Sequence, residues 1–156
     1  MKRTLTLFIC LFCIQTNLNA QKYKRQDSIR GSITSERSWW DLTYYDLEVS
    51  VDPKSKTIDG KNSIHYKVLK TNKVMQIDLQ PPMQLTKAIQ NGRKLKISHC
   101  GNAHYIHLEK PQIKYNIDSL TVFFKGTPRQ AVRAPWDGGF SWKKDKNGTD
   151  FIATTC

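Results

Sequence analysis

Tyr44-Tyr45-Asp46-Leu47-Glu48-Val49-Ser50-Val51-Asp52-Pro53 is the stretch that decides the fold. Tyr45, Leu47, Val49 and Val51 alternate with Asp46, Glu48 and Ser50, the period of two of a half-buried strand. Asp52-Pro53-Lys54-Ser55 follows as a turn. Pro fixes its backbone angle, and the Asp side chain can bond the backbone next to it. Ile58, Gly60, Asn62, Ile64, Tyr66 and Val68 then share one face of a longer second strand, so the two segments predict a long antiparallel hairpin.

The same period continues outward. Met75, Ile77 and Leu79 predict a third strand, stopped by Pro81-Pro82 because Pro cannot donate to a ladder. Leu85 to Ile89 and Leu95 to Ile97 flank Asn91-Gly92, the dipeptide that supplies the positive backbone angles of a tight hairpin. Ala103–Leu108 and Leu120–Phe124 are further strands. A last hairpin turns at Asn147-Gly148 into Phe151–Ala153, which favours a turn over a glycan acceptor at Asn147. No stretch has a convincing helical period. Short strands with frequent turn signals predict an all-β antiparallel sandwich. Phe151 to Cys156 reads as a strand in progress, so the sandwich is expected to be incomplete at its C-terminal end.

The chain has 156 residues, enough for one domain. With 38% hydrophobic and 24% charged residues it is globular in composition, not disordered. Met1–Ala20 reads as a cleaved secretory signal. Lys2 and Arg3 form its basic start, Leu5 to Ile14 is an apolar run too short to span a bilayer, and Ala20 suits cleavage. Secretion to the periplasm, cell envelope or medium is therefore expected, with no transmembrane helix. Cys10 and Cys13 fall in that leader, so their C-x-x-C spacing carries no redox or zinc reading. Cys100 and Cys156 could pair in an oxidising compartment. Residues 21–38 are polar and are expected to be a flexible basic lead-in, with the ordered domain running from 39 to 156.

The net charge of +12 is spread along the chain. Its densest cluster, in residues 22–25, reads as a solvated tail, and nucleic acid is not an expected partner of a secreted protein. A basic protein docking on anionic envelope through that cluster is a minor alternative.

His99, Cys100, His104 and His107 lie close together, but their spacing matches no standard zinc pattern, and alternation sends His104 and His107 to opposite faces. No metal ligand is assigned. Arg133 to Trp142 is the most distinctive segment. Its functional reading is a binding or domain-contact loop, with Trp136, Phe140 and Trp142 as apolar contacts and Asp137 as anchor. Its structural reading is a corner packed on the sandwich. No H-E-x-x-H, G-x-S-x-G or phosphate loop occurs, so no catalytic residue is assigned.

The strand motifs, in their order and spacing, resemble the opening of zinc aminopeptidases of the aminopeptidase N and leukotriene hydrolase type. The residues that carry this are Tyr44 to Pro53, Lys56 to Gly60, Met75 to Gln80, Leu120 to Gly126, the APWDGGF stretch, Trp142 and Asp150 to Cys156. The resemblance runs from Trp40 to Cys156. It implies a saddle-shaped, non-catalytic N-terminal β-sandwich that frames the active-site cleft and packs on a catalytic domain of the same polypeptide. It also implies zinc and peptide substrates for the full-length enzyme, which would remove N-terminal residues. The family's H-E-x-x-H and G-x-M-E-N are not in this sequence. No catalytic, zinc-binding or substrate residue carries over, and this chain is expected to be inactive alone. A free-standing secreted β-sandwich that binds a partner through residues 136–142 is the alternative.

Overall fold

The computed structural model describes residues 24–155, so the leader, Lys22 and Tyr23 of the cluster at 22–25, and Cys156 lie outside the described residues. The architecture is all-β. Strands β1 (Trp40–Asp52), β2 (Thr57–Val68), β4 (Gln84–Gln90), β5 (Arg93–Lys94) and β8 (Ile117–Gly126) form an antiparallel sheet in the order β1-β2-β8-β4-β5. Strands β3 (Asn72–Asp78), β6 (Lys96–Cys100) and β7 (Ala103–Gln112) form a second sheet in the order β3-β7-β6. Strands β9 (Gly139–Lys144) and β10 (Asp150–Thr155) make a separate hairpin.

The two sheets face each other across a single core, as the alternation predicts. Ile64, Tyr66 and Val68 from β2, Leu120 and Val122 from β8, and Ala88 from β4 supply one inner face. Met75, Ile106 and Leu108 supply the other. Trp39 joins the layers. It precedes β1, its carbonyl accepts from Leu69 and Lys70 N–H at 2.6 and 3.1 Å, and its indole donates to the Val74 carbonyl of β3 at 2.7 Å. The turns form where expected. Asn91 and Gly92 take positive φ values of 50° and 76° between β4 and β5, and Asp145 Oδ1 accepts from Asn147 and Thr149 N–H to close the β9–β10 turn.

Three expectations are corrected. First, residues 24–38 are not a flexible lead-in. Helix α1 (Arg25–Gly31) opens with the Asp27 carboxylate accepting from Lys24 N–H at 2.8 Å. The segment then docks on the outer face of β3 through polar side chains, which an apolar-periodicity reading does not register. Thr34 Oγ1 donates to Gln76 Oε1 at 2.8 Å, Glu36 O accepts from Gln76 N–H at 3.1 Å, and Arg37 pairs with Asp78.

Second, β1 is not half-buried. Tyr45, Leu47, Val49 and Val51 lie opposite Ile64, Asn62, Gly60 and Ile58 and so share the core-facing side. They are nonetheless 43–57% exposed, because β1 is the sheet edge and the three-stranded sheet does not reach over it. Third, Phe140 and Trp142 are on a strand, not a loop, since Gly139–Lys144 pairs in full with β10.

Candidate functional site

The segment singled out by its aromatic and glycine content splits into a loop and a strand. Asp137 organises the loop. Its Oδ2 accepts from the Val132 N–H at 2.6 Å and lies 3.8 Å from the Arg129 guanidinium. The Arg133 backbone N–H, then that of Val132, and finally the Arg129 charge hold its carboxyl below the usual carboxylate range. Asp137 therefore fastens its own loop. Gly139 follows with φ +110°, and a Cβ there would meet the Arg129 carbonyl oxygen at 2.7 Å, so only Gly permits the chain to re-enter as β9. Phe140 then bonds back to that passage, its N–H donating to the Arg129 carbonyl at 2.8 Å and its carbonyl accepting from Ala131 N–H at 3.0 Å.

The four candidates do not converge on one pocket. Phe140 and Trp142 share a face of β9 and stack at 5.5 Å with 21° between planes, both half-buried. Phe140 shares the wall of one cavity with Ile58, Met83 and Phe124, and Trp142 shares that of another with Pro53 and Lys56 of the β1–β2 turn. Trp136 points away and is 88% exposed. Phe140 and Trp142 are thus half-buried against each other, and Trp136 is the exposed member of the set.

The surface that sequence reading missed is the uncovered side of β1. Its alternation shows only which residues share a face, not what covers that face.

The histidines separate by face. His99 and His104 are directly opposed across β6 and β7, on the side that carries Ile97 and Ile106. His107 is on the other side, where its Nε2 is 2.8 Å from Ser98 Oγ. Burial, then the neighbouring His99, pushes the His104 imidazole below its usual value, with Asp78 opposing. Among the described residues no group of three or more His, Cys, Asp or Glu is placed to hold a metal ion, so these side chains do not fit a catalytic zinc. Cys100 Sγ accepts a long hydrogen bond from Gln26 Nε2 at 3.7 Å. No helix among the described residues is long and apolar enough to cross a membrane.

No protein-family model matches the sequence, and no curated protein matches it. Solved structures do. The M1 zinc metallopeptidase from Deinococcus radiodurans superposes with a TM-score of 0.55 at 18% identity, over 69% of this chain and 26% of that one. A mutant of that enzyme bound to a Tyr-Ser-Ala substrate gives 0.57 at 16% identity, over 73% of this chain and 28% of that one. Native yeast LTA4 hydrolase gives 0.53 at 17% identity, over 74% of this chain and 18% of that one. This chain thus spans about a quarter or less of the length of these enzymes, and it has the fold of that part of an M1 zinc metallopeptidase.

Proposed function

We propose that this chain is the N-terminal β-sandwich of a zinc metallo-aminopeptidase, a non-catalytic domain that frames the active-site cleft and packs on a catalytic domain of the same polypeptide. The observation that carries the reading is the shared fold with M1 zinc metallopeptidases over about 70% of this chain. The open apolar side of β1 supports it, because a face of Tyr45, Leu47, Val49 and Val51 is costly to leave in water.

The catalytic zinc of the whole enzyme would be held by residues outside this sequence, and the peptide substrates belong to that whole enzyme. Export through the leader Met1–Ala20 places it in the periplasm, the cell envelope or the medium.

Sequencing the locus through codon 156 tests the reading. An open frame that continues into G-x-M-E-N and H-E-x-x-H is the expected result. A stop with neither motif downstream overturns it. The exposed Trp136 would then favour the second reading, a secreted binding module that uses residues 136–142.

A further inference from the structure

β1 is an edge of the five-stranded sheet and is 13 residues long, about twice the usual strand length. Every residue from Asp41 to Asp52 is exposed. The other edges of the two facing sheets are short or covered. β5 is the dipeptide Arg93-Lys94, β6 has five residues, and β3 gives its Gln76 N–H to the Glu36 carbonyl at 3.1 Å. An uncovered edge presents free N–H and C=O groups that accept a further strand, and Lys, Pro or a bulge is the usual protection. β1 holds no Lys and no Pro. Its register shifts only between Leu42 and Tyr44, so the ladder from Tyr44 to Asp52 is regular.

Charge selects the partner. β1 carries Asp41, Asp46, Glu48 and Asp52 and no basic residue, in a chain with 25 Lys and Arg against 13 Asp and Glu. Asp52 is engaged by Ser55 of its own turn. Asp46 and Glu48 lie opposite Ser63 and Lys61, on the side away from the core. Lys61 meets Glu48 at 2.8 Å, and Asp46 has no ion-pair partner among the described residues. A second copy does not fit this edge. Two-fold antiparallel pairing centred on Asp46, Leu47 or Glu48 sets carboxylate against carboxylate, and like charges directly opposite each other are destabilising. We infer that β1 takes, as an added strand, an extended segment of a partner protein in which Lys or Arg alternates with apolar residues. The main chain of that segment completes the β1 ladder, and its basic side chains face Asp46 and Glu48. Its apolar side chains continue the row of Tyr45, Leu47, Val49 and Val51. The added strand extends that apolar side without covering it, so it does not compete with packing on a catalytic domain.

The test is calorimetry of the purified full chain with a synthetic peptide of about ten residues that alternates Lys with Val, with hydrogen exchange read on the complex. The expected result is one peptide per chain, with slowed exchange at alternate amides between Tyr44 and Val51. Replacing every Lys of the peptide by Glu should weaken binding by roughly tenfold or more. N-methylation of the peptide backbone keeps every charge and removes the ladder donors, and it should cost a similar factor. Asp46→Asn combined with Glu48→Gln should also weaken binding, while Glu109→Gln on the other sheet should leave it unchanged. The peptide series on the unaltered chain decides the outcome even if the double variant fails to fold. Equal binding of the Glu peptide, undiminished binding of the N-methylated peptide, protection outside β1, no binding at all, or self-association of the chain through β1 overturns the inference.

Discussion

Trp39 meets Tyr66 edge to face, with ring centroids 5.6 Å apart and planes at 86°. Trp40 meets the same ring at 6.1 Å and 71°. Tyr66 belongs to one sheet, and the Trp39 indole donates to β3 of the other. One aromatic cluster therefore sets the spacing of the layers. Trp39→Ala removes the largest fully buried side chain, for which a loss of about 3–5 kcal/mol is expected. Trp39→Phe keeps much of the ring and loses the hydrogen bond, for a smaller loss. Urea unfolding of the two variants should rank them in that order, and equal losses would mean that the hydrogen bond, not the packing, dominates.

Tyr66 gives the core an alkaline limit. Burial, then the Asp118 charge, pushes its phenol well above the usual value of 10.0. The unfolded chain ionises this group near pH 10 while the folded chain does not, so the stability it contributes is complete below pH 10 and is lost as pH rises beyond it. Tyr66→Phe should cost about 1 kcal/mol at pH 7, through the lost bonds to Gln112 and Gln90. The variant should then show a shallower fall above pH 10. Parallel curves for the two proteins in that range would show that Tyr66 does not set the limit.

Gly60 lies opposite Val49 in the β1–β2 ladder. A Cβ there would overlap the Glu48 carbonyl oxygen and come within 3.0 Å of the Phe124 ring. Backbone cannot yield as a flexible side chain can, so Gly60→Ala should displace β1 locally at a cost of about 2 kcal/mol or more. Hydrogen exchange should speed up along Leu47 to Val51 before it does so in β8. Unchanged protection there would place the strain elsewhere.

These residues also mark how far sequence reading reaches. The alternation in Ile58 to Val68 identifies a core face because Ile64, Tyr66 and Val68 on it are buried against Leu120 and Val122 of β8 and Met75 of the other sheet. Asn91-Gly92 locates a hairpin because few other dipeptides supply two positive φ values. The same alternation over Tyr45 to Val51 places those residues on the core side without revealing that they are left 43–57% exposed, since coverage depends on the reach of a sheet distant in sequence. Residues 24–38 were illegible for a related reason. Their order comes from hydrogen bonds to Gln76 and Asp78, and partners some forty residues away leave no local period. At the candidate site, the glycines signalled a shaped turn. They did not signal that Asp137 is spent on its own loop and Trp136 is left free.

Gln76 is the point on which that N-terminal segment turns. It is 1% exposed, accepts from Thr34, and donates to the Ile29 carbonyl at 3.4 Å and to Asp78 at 3.1 Å. Gln76→Leu leaves Thr34 and the Ile29 carbonyl without this partner, while the leucine still fits a buried strand position. The sandwich core should survive, and the segment 24–38 should become sensitive to limited trypsin cleavage at Arg25, Arg30 or Arg37. Unaltered cleavage kinetics would show that the Arg37–Asp78 pair and the Gln76 N–H bond hold the segment without the side chain.

Asp137 ties the order of its loop to pH. Its folded-state value is depressed below 3.8, so the stabilisation it gives the loop is present above that pH and is lost as pH falls through the lower folded value. Protonation removes the charge that the Arg133 and Val132 N–H groups and Arg129 face. Trp136 reports the result, since it sits beside Asp137 and is 88% exposed, whereas Trp39 is 1% exposed. In a chain whose other tryptophans are replaced conservatively, the fluorescence anisotropy of Trp136 should fall as the pH is lowered below 3.8, while β-sheet circular dichroism persists. Asp137→Asn should lower the anisotropy at neutral pH and abolish the transition. A transition that survives in Asp137→Asn would assign the acid sensitivity to another carboxylate, and the loop would then owe its shape to Gly139 and the Phe140 backbone bonds alone.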